Sequence, residues 1–185
     1  MNKFSLKAHL QSELESFASS FKATSYDDAN QVHLCQDETT PEVYDFDAYV
    51  KTRCSRPTPA SPDAIHIGNK DLYFVEFKNE AAAKVDGVQI RRKFEAGTRI
   101  LQNLLQGFGA KDCQYHFCVV VKNQSRPRWM DFRHIEKSVV KFGLQELNQN
   151  LGSFYDYVVT ESLDFYVKEF KALKCTETVT SPTNA

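Results

Sequence analysis

The sequence predicts an α/β domain. Three observations carry that expectation: an N-terminal stripe of apolar residues at helical spacing, a hairpin pattern over residues 63–78, and a second amphipathic helix leading into a short apolar run at 115–121. Helix, hairpin, helix and strand in that order place one sheet and its helices around a shared core.

The first stripe is Leu10, Leu14, Phe17 and Phe21, which predicts a single helix packed on the sheet. At 100° per residue Glu13 lies beside that stripe and Glu15 on the far side, so Glu13 is the acid able to reach inward. Residues 25–61 form the most polar internal stretch, with Pro41, Pro57 and Pro59, and a strand is expected around Val43 to Val50. Asp63 to Ile67 and Asp71 to Lys78 then read as two strands joined by Gly68-Asn69-Lys70, residues that tolerate turn geometry.

Ile90, Phe94, Leu101, Leu104, Leu105 and Phe108 mark the second helix, ending near Gly107 and Gly109. Arg92 and Arg99 fall on its outer face, with Arg91 and Lys93 on the flanks. Tyr115 to Val121 is continuously apolar, as a strand buried on both faces would be. A polar loop from Asn123 to Trp129 leads to helical spacing from Ile135 to Phe142 and, after Gly143, at Leu144, Leu147 and Leu151. This reads as two short helices or one bent at the glycine. A strand is expected from Phe154 to Val159 and a last helix at Leu163, Tyr166, Val167, Phe170 and Leu173.

A chain of 185 residues with 42% hydrophobic content predicts one domain, residues 1–175, followed by a loose tail over 176–185. Five scattered cysteines without Cys-x-x-Cys spacing argue against a disulfide framework and a zinc site. The expected compartment is the cytoplasm, and no apolar run resembles a signal peptide or a membrane span. The histidines His9, His33, His66 and His116 lack ligating spacing, and His66 should face away from Asp63 by strand parity.

The chemistry concentrates in the hairpin. Strand parity puts Glu76 and Lys78 on one face, and pairing to the strand ends brings Asp63 within a residue or two of directly opposite Glu76. Two carboxylates so close repel unless one takes a proton or a cation joins them. Oxygen ligands suit Mg²⁺, which keeps several waters and binds one or two carboxylates together with a phosphate oxygen. Lys78 could then orient a water or stabilise the scissile phosphate. The plainer alternative is a surface ion pair between strands. Against it, the charges interrupt Leu72, Tyr73, Phe74, Val75 and Phe77, a run too apolar for an exposed edge.

Pro62-Asp63 followed by Glu76-Phe77-Lys78 resembles the PD-(D/E)xK nuclease superfamily, the restriction-endonuclease-like fold. The resemblance spans roughly residues 1–122 as an architecture. It implies an αβββαβ core with a central mixed β-sheet flanked by helices. It also implies Mg²⁺-dependent hydrolysis, usually of DNA, that leaves a 5′-phosphate, with Mn²⁺ as a substitute ion. Asp63 and Glu76 would bind the metal, the Phe77 carbonyl would be a further ligand, and Lys78 would support the attacking water. Glu13 is the candidate for the glutamate that many members add from the first helix, the alternative being an ordinary boundary glutamate on a half-exposed helix. The Gln and Tyr four apart found in exonuclease-like branches are not matched, since Gln89 is followed by Lys93 and Phe94.

A net charge of −1 means that any nucleic-acid surface must be local. Two basic clusters qualify: Arg91, Arg92, Lys93 and Arg99 on the second helix, and Arg126, Arg128, Arg133, His134 and Lys137 around Trp129. Trp129 is either a base-stacking platform or a packing anchor. The expected partner is nucleic acid, DNA first, with a homodimer among the assemblies the resemblance allows and with no membrane. Roles in restriction, defence or as a toxin fit equally. A non-cleaving nucleic-acid- or protein-binding module and an RNA-cleaving toxin are the competing readings.

Overall fold

The structure is a computed structural model and describes residues 5–109, 112–123 and 142–169. Helix α1 (Leu6–Leu14) starts at Ser5, whose hydroxyl accepts from Ala8 N. It stops short of the predicted stripe. A 3₁₀ turn (Glu15–Phe17), strand β1 (Ala18–Ser19) and helix α2 (Phe21–Thr24) follow instead. Ser20 opens the new helical turn, its hydroxyl accepting from Ala23 N.

Strands β2 (Tyr26–Asp27) and β3 (Val32–His33) form a small separate hairpin. The strand expected to reach Val50 is shorter: β4 (Val43–Asp45) ends where Asp45 Oδ1 accepts from Ala48 N at 2.8 Å and caps α3 (Phe46–Arg53). Strands β5 (Ala64–Ile67) and β6 (Asp71–Lys78) make the expected hairpin, closed by Gly68 N donating to Asp71 O at 2.7 Å. Helix α4 (Gly87–Leu104), capped by Asp86, crosses back to β7 (Gln114–Val121). Helix α5 (Leu144–Asn150), β8 (Tyr157–Ser162) and α6 (Leu163–Glu169) complete the described chain. Strand β8 begins later than expected because Tyr155 N and O are both taken by the Asn148 side chain.

The main sheet has the order β1-β4-β5-β6-β7-β8. Pairings from β1 to β6 are antiparallel, and β6, β7 and β8 run parallel. Helices α1, α3, α4 and α5 bury their apolar residues on one face, with Leu72 and Phe74 of β6. Phe21 of α2 and Leu163 and Tyr166 of α6 cover the other face, with Val75 and Phe77. Phe17 and Phe21, predicted to share one stripe, therefore serve opposite sides of the sheet. On the α2 and α6 side, His66, Tyr73, His116 and Tyr157 stack ring on ring across β5 to β8, and His66 does face away from Asp63.

Among the described residues no helix is long and apolar enough to cross a membrane. Cys54 and Cys118 are free thiols. Cys35 is disulfide-bonded, a departure from the expectation drawn from cysteine spacing. Arg126, Arg128, Trp129, Arg133, His134 and Lys137 also lie outside the described residues, as do the chain beyond residue 169 and the helical stretch up to residue 141.

Candidate functional site

The β5–β6 register decides the site. Ala64 pairs with Val75, so Asp63, one residue before β5, stands opposite Glu76. Asp63 Oδ2 accepts from Phe77 N at 2.7 Å, extending the pairing by one side-chain bond. Glu76 shares its face with Leu72 and Phe74, so α4 covers it and its side chain is 0% exposed. Lys78 follows on the same face, its Nζ 3.1 Å from Glu76 Oε1. That contact is an ion pair without hydrogen-bond alignment, since Glu76 Oε1 has no hydrogen-bond partner. The ammonium instead donates to Gln89 Oε1 of α4 at 2.7 Å.

Lys93, expected on a flank of α4 as part of a basic surface, belongs instead to the acid cluster. Its Nζ points inward and bridges the two acids, 3.0 Å from Asp63 Oδ1 and 2.8 Å from Glu76 Oε2. The side chain is only 16% exposed. Lys93 lies at the edge of the buried stripe of Ile90, Phe94 and Gly97, from which a long side chain can turn inward or outward, and the sequence does not say which. Gln89 was visible only as a broken exonuclease pattern, and nothing in the sequence marks it as the partner of Lys78.

Glu13 is exposed on α1, although Leu14 beside it is buried, and the structure does not bring it into the cluster. The helix ends at Leu14, so the stripe through Phe21 that would have set its rotation does not exist. Arg91, expected to contribute to a basic surface, donates through Nη1 to Phe142 O at 3.0 Å and ties α4 to the approach to α5.

Electrostatics at the cluster are those of a buried acid pair offset by two amines. Burial first and then neighbouring Asp63 push the Glu76 carboxyl up to about 7, against the pull of Lys93 and Lys78. Burial also raises Asp63, opposed first by Lys93. For Lys93, burial disfavours the charged form, but Asp63 and Glu76 outweigh it and hold the ammonium above the usual lysine range.

A cleft of about 440 Å³ reaches this cluster from the β2 side, with Asp63, Phe77 and Lys78 on one wall and Asp27, Asp28 and Glu80 around it. Asp27 Oδ2 accepts from Asn79 Nδ2 at 3.1 Å, so the 24–30 segment is tied to the residue after Lys78. Glu76 does not line this cleft. The cluster sits at the carboxyl ends of the parallel strands, where open α/β sheets take ligands.

Among the described residues no three His, Cys, Asp or Glu side chains converge as a metal set. The available donors are two carboxylates and a backbone carbonyl. Lys78 O bonds toward Lys122 at the end of β7, so the alternation of the strand turns the N–H and C=O of Phe77 toward Asp63. Two carboxylates and a carbonyl are hard oxygen donors, of the kind that Mg²⁺ takes and unlike the nitrogen and sulfur of most Zn²⁺ sites, and the Lys93 ammonium stands between the acids. No protein-family model, curated protein or solved structure matches this chain.

Proposed function

We propose that the protein is a Mg²⁺-dependent phosphodiesterase acting on nucleic acid, with DNA as the first candidate substrate. The observation that carries this reading is the pairing of Asp63 opposite Glu76 across the β5–β6 register, with Lys78 beside them. The order α1, antiparallel β4–β5–β6, α4, parallel β7 supports a restriction-endonuclease-like core, the αβββαβ plan that the Pro62-Asp63 and Glu76-Phe77-Lys78 resemblance implies.

In this reading Asp63, Glu76 and the Phe77 carbonyl hold the metal. Bound there, Mg²⁺ would supply a polarised phosphate oxygen and a more acidic water. Lys78, steadied by Gln89, places a positive charge where the attacking water and the phosphate meet. Asp27, Asp28 and Glu80 around the cleft repel polyanions, so binding there draws on the metal, Lys78 and basic residues elsewhere in the chain.

A non-cleaving module on the same fold is the second reading, favoured by one observation: Lys93 already satisfies both acids. Mg²⁺-dependent nicking of plasmid DNA, with Asp63→Ala and Lys78→Ala as controls, separates the two. Cleavage by the wild type alone supports the enzyme, and its absence on plasmid, single-stranded DNA and tRNA supports the module. Cutting confined to tRNA supports the RNA-cleaving alternative.

A further inference from the structure

The Lys93 ammonium stands between the two acids that the proposed function assigns to a metal. It uses Asp63 Oδ1 at 3.0 Å and Glu76 Oε2 at 2.8 Å, one oxygen from each. The other two oxygens face different partners: Asp63 Oδ2 takes the Phe77 N–H, and Glu76 Oε1 lies by Lys78. Glu76 is wholly buried, and the cleft reaches Asp63 and Lys78 but not Glu76, so Lys93 occupies the space that joins the acids.

This placement is built into the helix. Gly97, one turn after Lys93, lets α4 lie against Pro62, the residue before Asp63. The close approach brings the lysine stem within reach of both carboxylates. Two cations sharing the same pair of oxygens repel strongly where the dielectric is low. A lysine stem of four carbons can swing away, whereas the strand-borne acids are held by the sheet.

We propose that Lys93 is an exchangeable internal cation: it holds Asp63 and Glu76 together in the metal-free protein and must leave them before a divalent ion binds. The inference rests on the reading of those acids as metal ligands. It makes metal loading a displacement, so the affinity of the site is set by Lys93 as well as by the ligands. The lysine keeps the metal-free protein intact at the cost of weaker metal binding.

The test is Mn²⁺ binding to the full chain, read by the electron paramagnetic resonance signal of free Mn²⁺, for wild type and Lys93→Met. Removing the competitor should tighten Mn²⁺ binding by about tenfold or more, a coupling within the usual range between linked sites. Equal or weaker binding by the variant overturns the proposal. Should Lys93→Met not fold, the wild type decides alone through its Lys93 Nζ resonance in ¹⁵N NMR: the signal should shift or broaden on Mg²⁺ saturation. An unchanged signal at saturation overturns the proposal.

Parallel cleavage assays keep the two readings apart. Tighter metal binding by Lys93→Met with no cleavage of any nucleic acid by either protein leaves the displacement standing and removes the nuclease. Wild-type cleavage with unaltered metal affinity in the variant does the reverse. No metal binding by either protein removes both.

Discussion

Gly97 lies so close to Pro62 that a Cβ on the glycine would stand 2.5 Å from the proline Cδ. The same imaginary atom would meet Phe74 Cε1 at 3.3 Å. One turn earlier on α4, Lys93 reaches Asp63, the neighbour of Pro62. The helix-to-loop spacing at Gly97 therefore sets the spacing of the charged cluster.

Gly97→Ala should push α4 from the sheet and destabilise the fold by about 1–3 kcal/mol, the usual range for overpacking. Urea unfolding measures the loss. Pro62→Ala in the Gly97→Ala background should recover part of it, because the residues in contact are then coupled. Additive losses would show that the clash is relieved elsewhere.

The buried glutamate predicts an unusual pH response. Its carboxyl rises from 4.5 to about 7 in the folded protein, so between those values the folded state holds more protons than the unfolded one. Stability from this group is greatest at low pH and falls as pH rises through that window, by at most about 3.5 kcal/mol at about 1.4 kcal/mol per unit. His66 and His116 act oppositely, because burial lowers both and favours the folded state as they lose protons. Glu76→Gln removes only the first contribution. The difference in unfolding free energy between wild type and variant, measured on both sides of the window, should carry the falling slope.

Lys78 and Gln89 should separate in a kinetic assay if the protein cleaves nucleic acid. Lys78→Met removes the charge and should lower kcat by about 10²–10³-fold, the scale of a lost electrostatic stabiliser. Gln89→Ala leaves the charge but frees its position, and should lower kcat by roughly tenfold with KM little changed. Equal losses in the two variants would mean that Gln89 does more than position the amine.

Asp27 ties the cleft wall to the end of β6. It accepts from Ala29 N, Asn30 N, Asn30 Nδ2 and Asn79 Nδ2, and these bonds hold its carboxyl below the usual range. Asn79→Ala should leave the global unfolding free energy within about 1 kcal/mol, the worth of one such bond. Amide exchange over residues 24–30 should quicken, while β6 and β7 stay protected. Unchanged exchange in that segment would show that the turn is held by its own bonds.

Much of this was legible in the chain itself. Alternation in Asp71 to Lys78 and the Gly68-Asn69-Lys70 turn determine the hairpin, and with it the meeting of Asp63 and Glu76, because a strand has only two faces and a short turn allows few registers. Helix α4 and strand β7 were equally readable, from a long apolar stripe and an unbroken apolar run.

Only tertiary structure decided the rest. The helix read through Phe21 breaks because Ala18 and Ser19 pair with Tyr44 and Val43, strand partners some 25 residues away that no local pattern announces. That break leaves Glu13 outside and sends Phe21 to the opposite face. The cation between the acids, too, is a matter of approach: a flexible lysine takes its direction from the charges it meets, and those were brought to it by a proline and a glycine in contact across two elements. Periodicity names the face on which a side chain starts, while the packing of helix on sheet selects what its far end touches.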